Sequence, residues 1–101
     1  MKNEIRSKLE EMRKEYEKLP REELASLRWK ELDNITIKGK KYKSTVWSEQ
    51  LDDKLLLAVQ LERKIFLSFV KETNCIGFLF HRNGKIEHVN EEFMWNEIGY
   101  P

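Results

Sequence analysis

Glycine, proline and cysteine are scarce in this chain, with four, two and one residues respectively in 101. A single cysteine excludes a disulfide framework. Cys75 heads an apolar run, where a buried and reduced thiol is the ordinary expectation. Four glycines leave no glycine-rich loop to cradle a phosphate, and no nucleophile, base and orienting group can be arranged from the polar residues. Neither catalysis nor a bound cofactor is expected. An excess of one charge is missing too. Nineteen basic against eighteen acidic residues leave a formal +1, so binding to nucleic acid or an anionic membrane would need a local patch. No run approaches the ~18 apolar residues of a membrane span. The N-terminus alternates charges from Lys2 onward and lacks the apolar core of a secretory signal, so a cytoplasmic protein is expected, with no membrane partner.

What the chain does have is apolar and aromatic material for one core. Hydrophobic residues make up 40% and aromatics 11%, against 37% charged residues for the surface. A single domain over 1–101 follows.

The stretch from Leu55 to Val89 fixes the architecture. Leu55–Leu61, Ile65–Val70 and Cys75–Phe80 read as strands, and Asn83-Gly84 turns the chain into Lys85–Val89. A helix over Asp53–Lys71 is excluded because Lys54, Gln60, Glu62, Arg63, Lys64 and Ser68 scatter round its wheel instead of gathering on one arc. As strands, a short loop at Glu62–Lys64 would pair Leu61 with Ile65, Val59 with Leu67 and Leu57 with Phe69. A one-residue slip would move the whole set to the other face. Leu57, Val59, Leu67, Phe69, Phe78 and Phe80 are the expected core of the sheet.

Helices are expected at the chain ends. Ile5, Leu9, Met12, Tyr16 and Leu19 recur at alternating four- and three-residue steps, with Asn3 as the cap. Glu4–Lys8, Glu10–Lys14 and Arg13–Glu17 are spaced to support that helix, by roughly 0.2–0.5 kcal/mol each. Pro20 stops it and suits the start of a second helix carrying Leu24, Leu27 and Leu32. Asn34–Lys38 and Lys41–Trp47 form a hairpin bent at Gly39, and Leu51–Lys54 is a connection. Asn90 caps a last short helix docked by Phe93, Met94 and Ile98. The expected fold is α+β: an N-terminal helical arm of one long and one short helix (1–32), a five- or six-stranded antiparallel meander sheet (34–89), and a short C-terminal closing helix (90–98).

Three groups of residues could carry function. His81 and His88 are the only histidines. A two-residue Asn-Gly loop would pair His81 with Ile86 and Leu79 with His88, setting both imidazoles on one face roughly 7–8 Å apart, near what a shared metal needs. Zinc would want further ligands, and two half-exposed histidines beside a turn are the plainer reading. Lys38, Lys40, Lys41 and Lys43, with Tyr42 among them, form the only dense basic run. They could follow a phosphate backbone and stack one base, or simply guard a sheet edge against self-pairing. The stripe of Ile5, Leu9, Met12 and Tyr16 could face a second copy in a homodimer or lie across the chain's own sheet, and with only two heptads the sheet is favoured. Trp29, Trp47 and Trp95 lie at segment ends, two expected buried and one half-exposed.

The functional expectation is a small intracellular, non-catalytic module that recognises a protein partner or regulates it through its surface. A nucleic-acid-binding module using the Lys38–Lys43 hairpin is the alternative, and a metal-dependent enzyme using His81 and His88 comes third.

Overall fold

The computed structural model describes residues 2–65, 70–94 and 96. Among them the chain runs α1 (Asn3–Glu17), α2 (Arg21–Leu27), β1 (Trp29–Glu31), β2 (Ile35–Ile37), β3 (Lys40–Leu51), β4 (Lys54–Ile65), β5 (Val70–Phe80), β6 (Ile86–Val89) and α3 (Glu91–Phe93). The α+β fold expected from the sequence is the one observed. All strand pairs are antiparallel. β3, β4, β5 and β6 form a meander, while β1 and β2 lie end to end along the outer edge of β3.

Of the three helices, α1 and α2 cover one face of the sheet. Ile5, Leu9 and Met12 of α1 and Leu24 of α2 bury against Val46, Leu55, Leu57, Val59, Leu61, Ile76 and Phe78. Each large side chain so buried contributes roughly 1.5–3 kcal/mol. The opposite face carries a second, smaller core of Trp47, Leu56, Ala58, Cys75, Leu79, Val89 and Met94. Leu55–Leu61 is therefore apolar at every position but Gln60 because both of its faces are buried. Trp47, Ala58, Gly77 and Val89 stand in one row across this second face. Gly77 is obligatory there, since a Cβ would sit 2.2 Å from the Leu57 carbonyl oxygen.

Several local expectations are corrected. The strand expected to end at Leu61 continues to Ile65, and its partners are Asn74 for Leu61, Ile76 for Val59 and Phe78 for Leu57. Glu62, Arg63 and Lys64 form no loop. Arg63 Nη2 lies 3.2 Å from Glu72 Oε2 across the strands and Lys71 Nζ lies 3.7 Å from Glu62 Oε1, so charges that read as a turn are cross-strand pairs. None of the three is the glycine that a three-residue hairpin favours at its left-handed position. Leu57, Val59 and Phe78 are buried and Phe80 is half-buried; Leu67 and Phe69 lie outside the described residues.

The second helix is shorter than expected. The chain leaves it at Arg28 (φ 48°) and extends into β1, so Trp29 and Leu32 belong to the sheet side of the molecule rather than to the helical arm. Leu51–Lys54 closes to a two-residue turn at Asp52-Asp53, where Gln50 Nε2 donates to the carbonyls of Asp52 (3.0 Å) and Lys54 (2.9 Å). Lys2, with no side-chain bond, stands where Asn3 was expected to cap α1. Of the expected ion pairs on that helix Arg13–Glu17 forms at 3.7 Å, whereas Glu4 reaches Lys38 instead (2.7 Å) and Lys8 reaches Glu11 (3.2 Å). Asn90 does cap α3, its Oδ1 accepting from the Phe93 N–H at 3.0 Å. Met94 is buried and Phe93 half-buried beside it, while Ile98 and the side chain of Trp95 lie outside the described residues.

Candidate functional site

The histidines do not meet. The β5–β6 loop is one residue longer than the Asn-Gly pair suggests: the His81 N–H donates to Lys85 O (2.8 Å), the Gly84 N–H to His81 O (2.9 Å), and the Lys85 N–H to Asn83 Oδ1 (2.9 Å). Asn83 satisfies the Lys85 amide with its side chain. Gly84 then takes a left-handed φ of 91°, the geometry of a three-residue hairpin loop. Register shifts accordingly, and His88 stands opposite Phe78 rather than Leu79. That single slip sends the two imidazoles to opposite faces. His81 bonds Glu87 (2.9 Å) on one side of the sheet, and His88 bonds Glu17 of α1 on the other. Among the described residues no three His, Cys, Asp or Glu side chains converge to hold a metal.

His88 borders a cleft of about 370 Å³ between α1, the β5–β6 edge and the start of α3. Arg6, Glu10, Arg13, His88, Glu91 and Glu92 line it, so acids and bases largely neutralise each other. Arg13 is further tied back, its Nη1 donating to Gly77 O (3.5 Å) and its Nε lying 3.7 Å from Glu17. Among the described residues no serine, threonine, cysteine or lysine lines the cleft to serve as a nucleophile. Cys75 is buried on the other face, and burial pushes its thiol far above the ordinary range, which leaves it protonated and inert.

The basic run is also arranged differently from expectation. Tyr42 is only 3% exposed and packs in the helix-side core, with the Arg63 guanidinium 5.9 Å from its ring centroid, so no stacking platform is presented to a base. Lys38 pairs with Glu4 (2.7 Å), and the bond to Lys38 holds the Glu4 carboxyl below its usual range. Lys43 pairs with Glu31 (2.8 Å), which holds the ammonium above its usual range. Lys40 and Lys41 are exposed and form no ion pair among the described residues. Nor does this run guard an open edge, since β2 lies along Lys40–Tyr42. Changing Lys40, Lys41 and Lys43 to glutamine should therefore leave the fold intact and the urea midpoint nearly unchanged. Fluorescence anisotropy should show wild-type binding to a single-stranded oligonucleotide weaker than about micromolar at physiological salt; tighter, salt-sensitive binding would contradict this arrangement.

The apolar stripe of α1 is covered within the chain. Ile5, Leu9 and Met12 are buried and Tyr16 packs half-buried beside them, its hydroxyl pKa raised by that burial. A homodimer would have to use another surface.

The surface that does stand out is β1. Its three residues are all exposed, and Trp29 is 58% accessible while its cross-strand neighbour Trp47 is buried. Among the described residues β1 is the outermost strand on its side and nothing pairs with its outer edge. Inward bonds are made at alternate residues: Ser48 N–H donates to Arg28 O (2.9 Å) and Leu32 N–H to Ser44 O (2.9 Å). In an antiparallel ladder this alternation turns the backbone N–H and C=O of Trp29 and Glu31 outward. Sequence reasoning singled out Trp29 only as one of three tryptophans. Its i, i+3 relation to Leu32 suits a helix, and nothing local announces a strand whose partner lies at Thr45–Trp47.

The fold and this edge together define a small α+β protein whose six-stranded antiparallel sheet is backed by helices, with an aromatic edge strand open to solvent. Comparison with protein-family models, with curated proteins and with solved structures found no match to the chain. Among the described residues no helix is long and apolar enough to cross a membrane.

Proposed function

We propose that this protein is a small intracellular recognition module that binds another protein through its surface and performs no catalysis itself. The observation that carries the reading is Trp29, a large aromatic held on an edge strand with more than half its surface in water. A tryptophan left 58% accessible gives up much of the burial energy that its side chain could contribute, whereas tryptophan is among the residues that dominate protein interfaces. The buried cysteine and the near-balanced surface charge accord with an intracellular protein that relies on local chemistry instead of a global field.

Two measurements test the reading. Trp29→Ala should change the unfolding free energy by less than about 1 kcal/mol, as befits a surface side chain. A photoreactive amino acid at position 29 should crosslink to a discrete protein in cells, while the same group at exposed Lys64 should not. A loss above about 2 kcal/mol would assign Trp29 a structural role instead. Identical crosslinking from both positions would remove the case for recognition there.

A further inference from the structure

We propose that the β1 edge receives an extended acidic segment of a partner protein as a seventh, antiparallel strand. This rests on the reading of Trp29 as a recognition residue and specifies the chemistry of what it meets. The outward N–H and C=O groups of Trp29 and Glu31 supply two hydrogen-bonding pairs for such a strand, the main-chain part of β-strand addition. Between them Lys30 stands in the close, non-hydrogen-bonded position, where an opposing side chain comes nearest.

Charge identifies the partner. Arg28 and Lys30 flank Trp29 and form no ion pair among the described residues, while the one acid of the strand, Glu31, is neutralised by Lys43 at 2.8 Å. An added strand therefore meets a positive edge. A carboxylate opposite Lys30 and an apolar side chain beside Trp29, on the opposite face, complete the match.

The same charges reject a second copy of the chain. A two-fold antiparallel pairing that uses the outward groups of Trp29 and Glu31 has three registers. Centred on Lys30, it sets Lys30 against Lys30. Centred on Trp29, it sets Lys30 against Arg28; centred on Glu31, it sets Glu31 against Glu31. The first two registers oppose cation to cation, and in the third Lys30 faces Leu32, so no register gives Lys30 the carboxylate that a strand of opposite sign would bring. Phosphates could also meet Arg28 and Lys30. The paired outward donors and acceptors favour a polypeptide, because an ionised phosphodiester carries no donor for the two carbonyls, whereas a peptide strand offers an N–H and a C=O at each pairing residue.

The test uses capped octapeptides of alternating valine and glutamate, or valine and lysine, with amide hydrogen exchange followed by NMR on the intact protein. The acidic peptide should slow exchange at Trp29 and Glu31 by about tenfold or more at ~1 mM, and the basic peptide should not. Lys30→Glu, a change at an exposed position, should reverse that preference. Equal effects of the two peptides, protection of other amides only, or no protection at ~1 mM would overturn the proposal. So would protection of the same two amides by a single-stranded oligonucleotide that displaces the acidic peptide. A crosslinked partner at position 29 together with failure of the peptides would leave recognition standing and strand addition refuted. Loss of both would refute the two together.

Discussion

Leu9→Glu combined with Met12→Glu should leave the chain unfolded rather than release a folded monomer. Leu9 is fully buried and Met12 nearly so, both against the chain's own sheet. Truncation alone at such sites costs about 2–5 kcal/mol each, and a carboxylate placed there must also be desolvated without a partner. The sum matches or exceeds the whole stability of a domain this size, roughly 5–15 kcal/mol. Circular dichroism with sedimentation separates the outcomes. A double variant that stays folded and monomeric would show that α1 packs on another molecule and not on β4 and β5.

Phe78→Ala should cost about 3–5 kcal/mol. Phe78 is fully buried in the helix-side core, paired with Leu57 on β4 and with His88 on β6. Its neighbours are held by ladders on both sides, so the sheet cannot collapse into the space left behind, and a cavity remains. The cost should appear as a lower urea midpoint with an unchanged slope. A loss under about 1 kcal/mol would mean that the strand carrying it is not central.

Both results concern the part of the molecule most legible in the sequence. The stripe from Ile5 to Leu19 has the helical period, and the apolar runs after Leu55 do not, so helix and sheet separate on local pattern alone. Asn90 as a cap, Pro20 as a boundary and Cys75 as a buried thiol were legible for the same reason. Each depends on neighbours a few residues away.

Register was not legible, because it is decided by groups far apart in sequence. Glu62–Lys64 looks like a loop until Glu72 and Lys71 are brought opposite. The His81–His88 relation inverted on one extra loop residue, selected when the Asn83 side chain took the Lys85 amide. Lys38 and Lys43 look like a free basic patch until folding delivers Glu4 and Glu31 to them.

The sequence by itself determined the α+β class, the helical and most extended segments, and most of the side chains that must leave water, since period and hydropathy are local properties. Only the tertiary structure decided which face each strand residue takes, which charges neutralise one another, and that Trp29 stands on an open edge while Tyr42 is buried. A strand's side chains alternate every residue, so the long-range pairing that sets its register also decides which of them remain free to function.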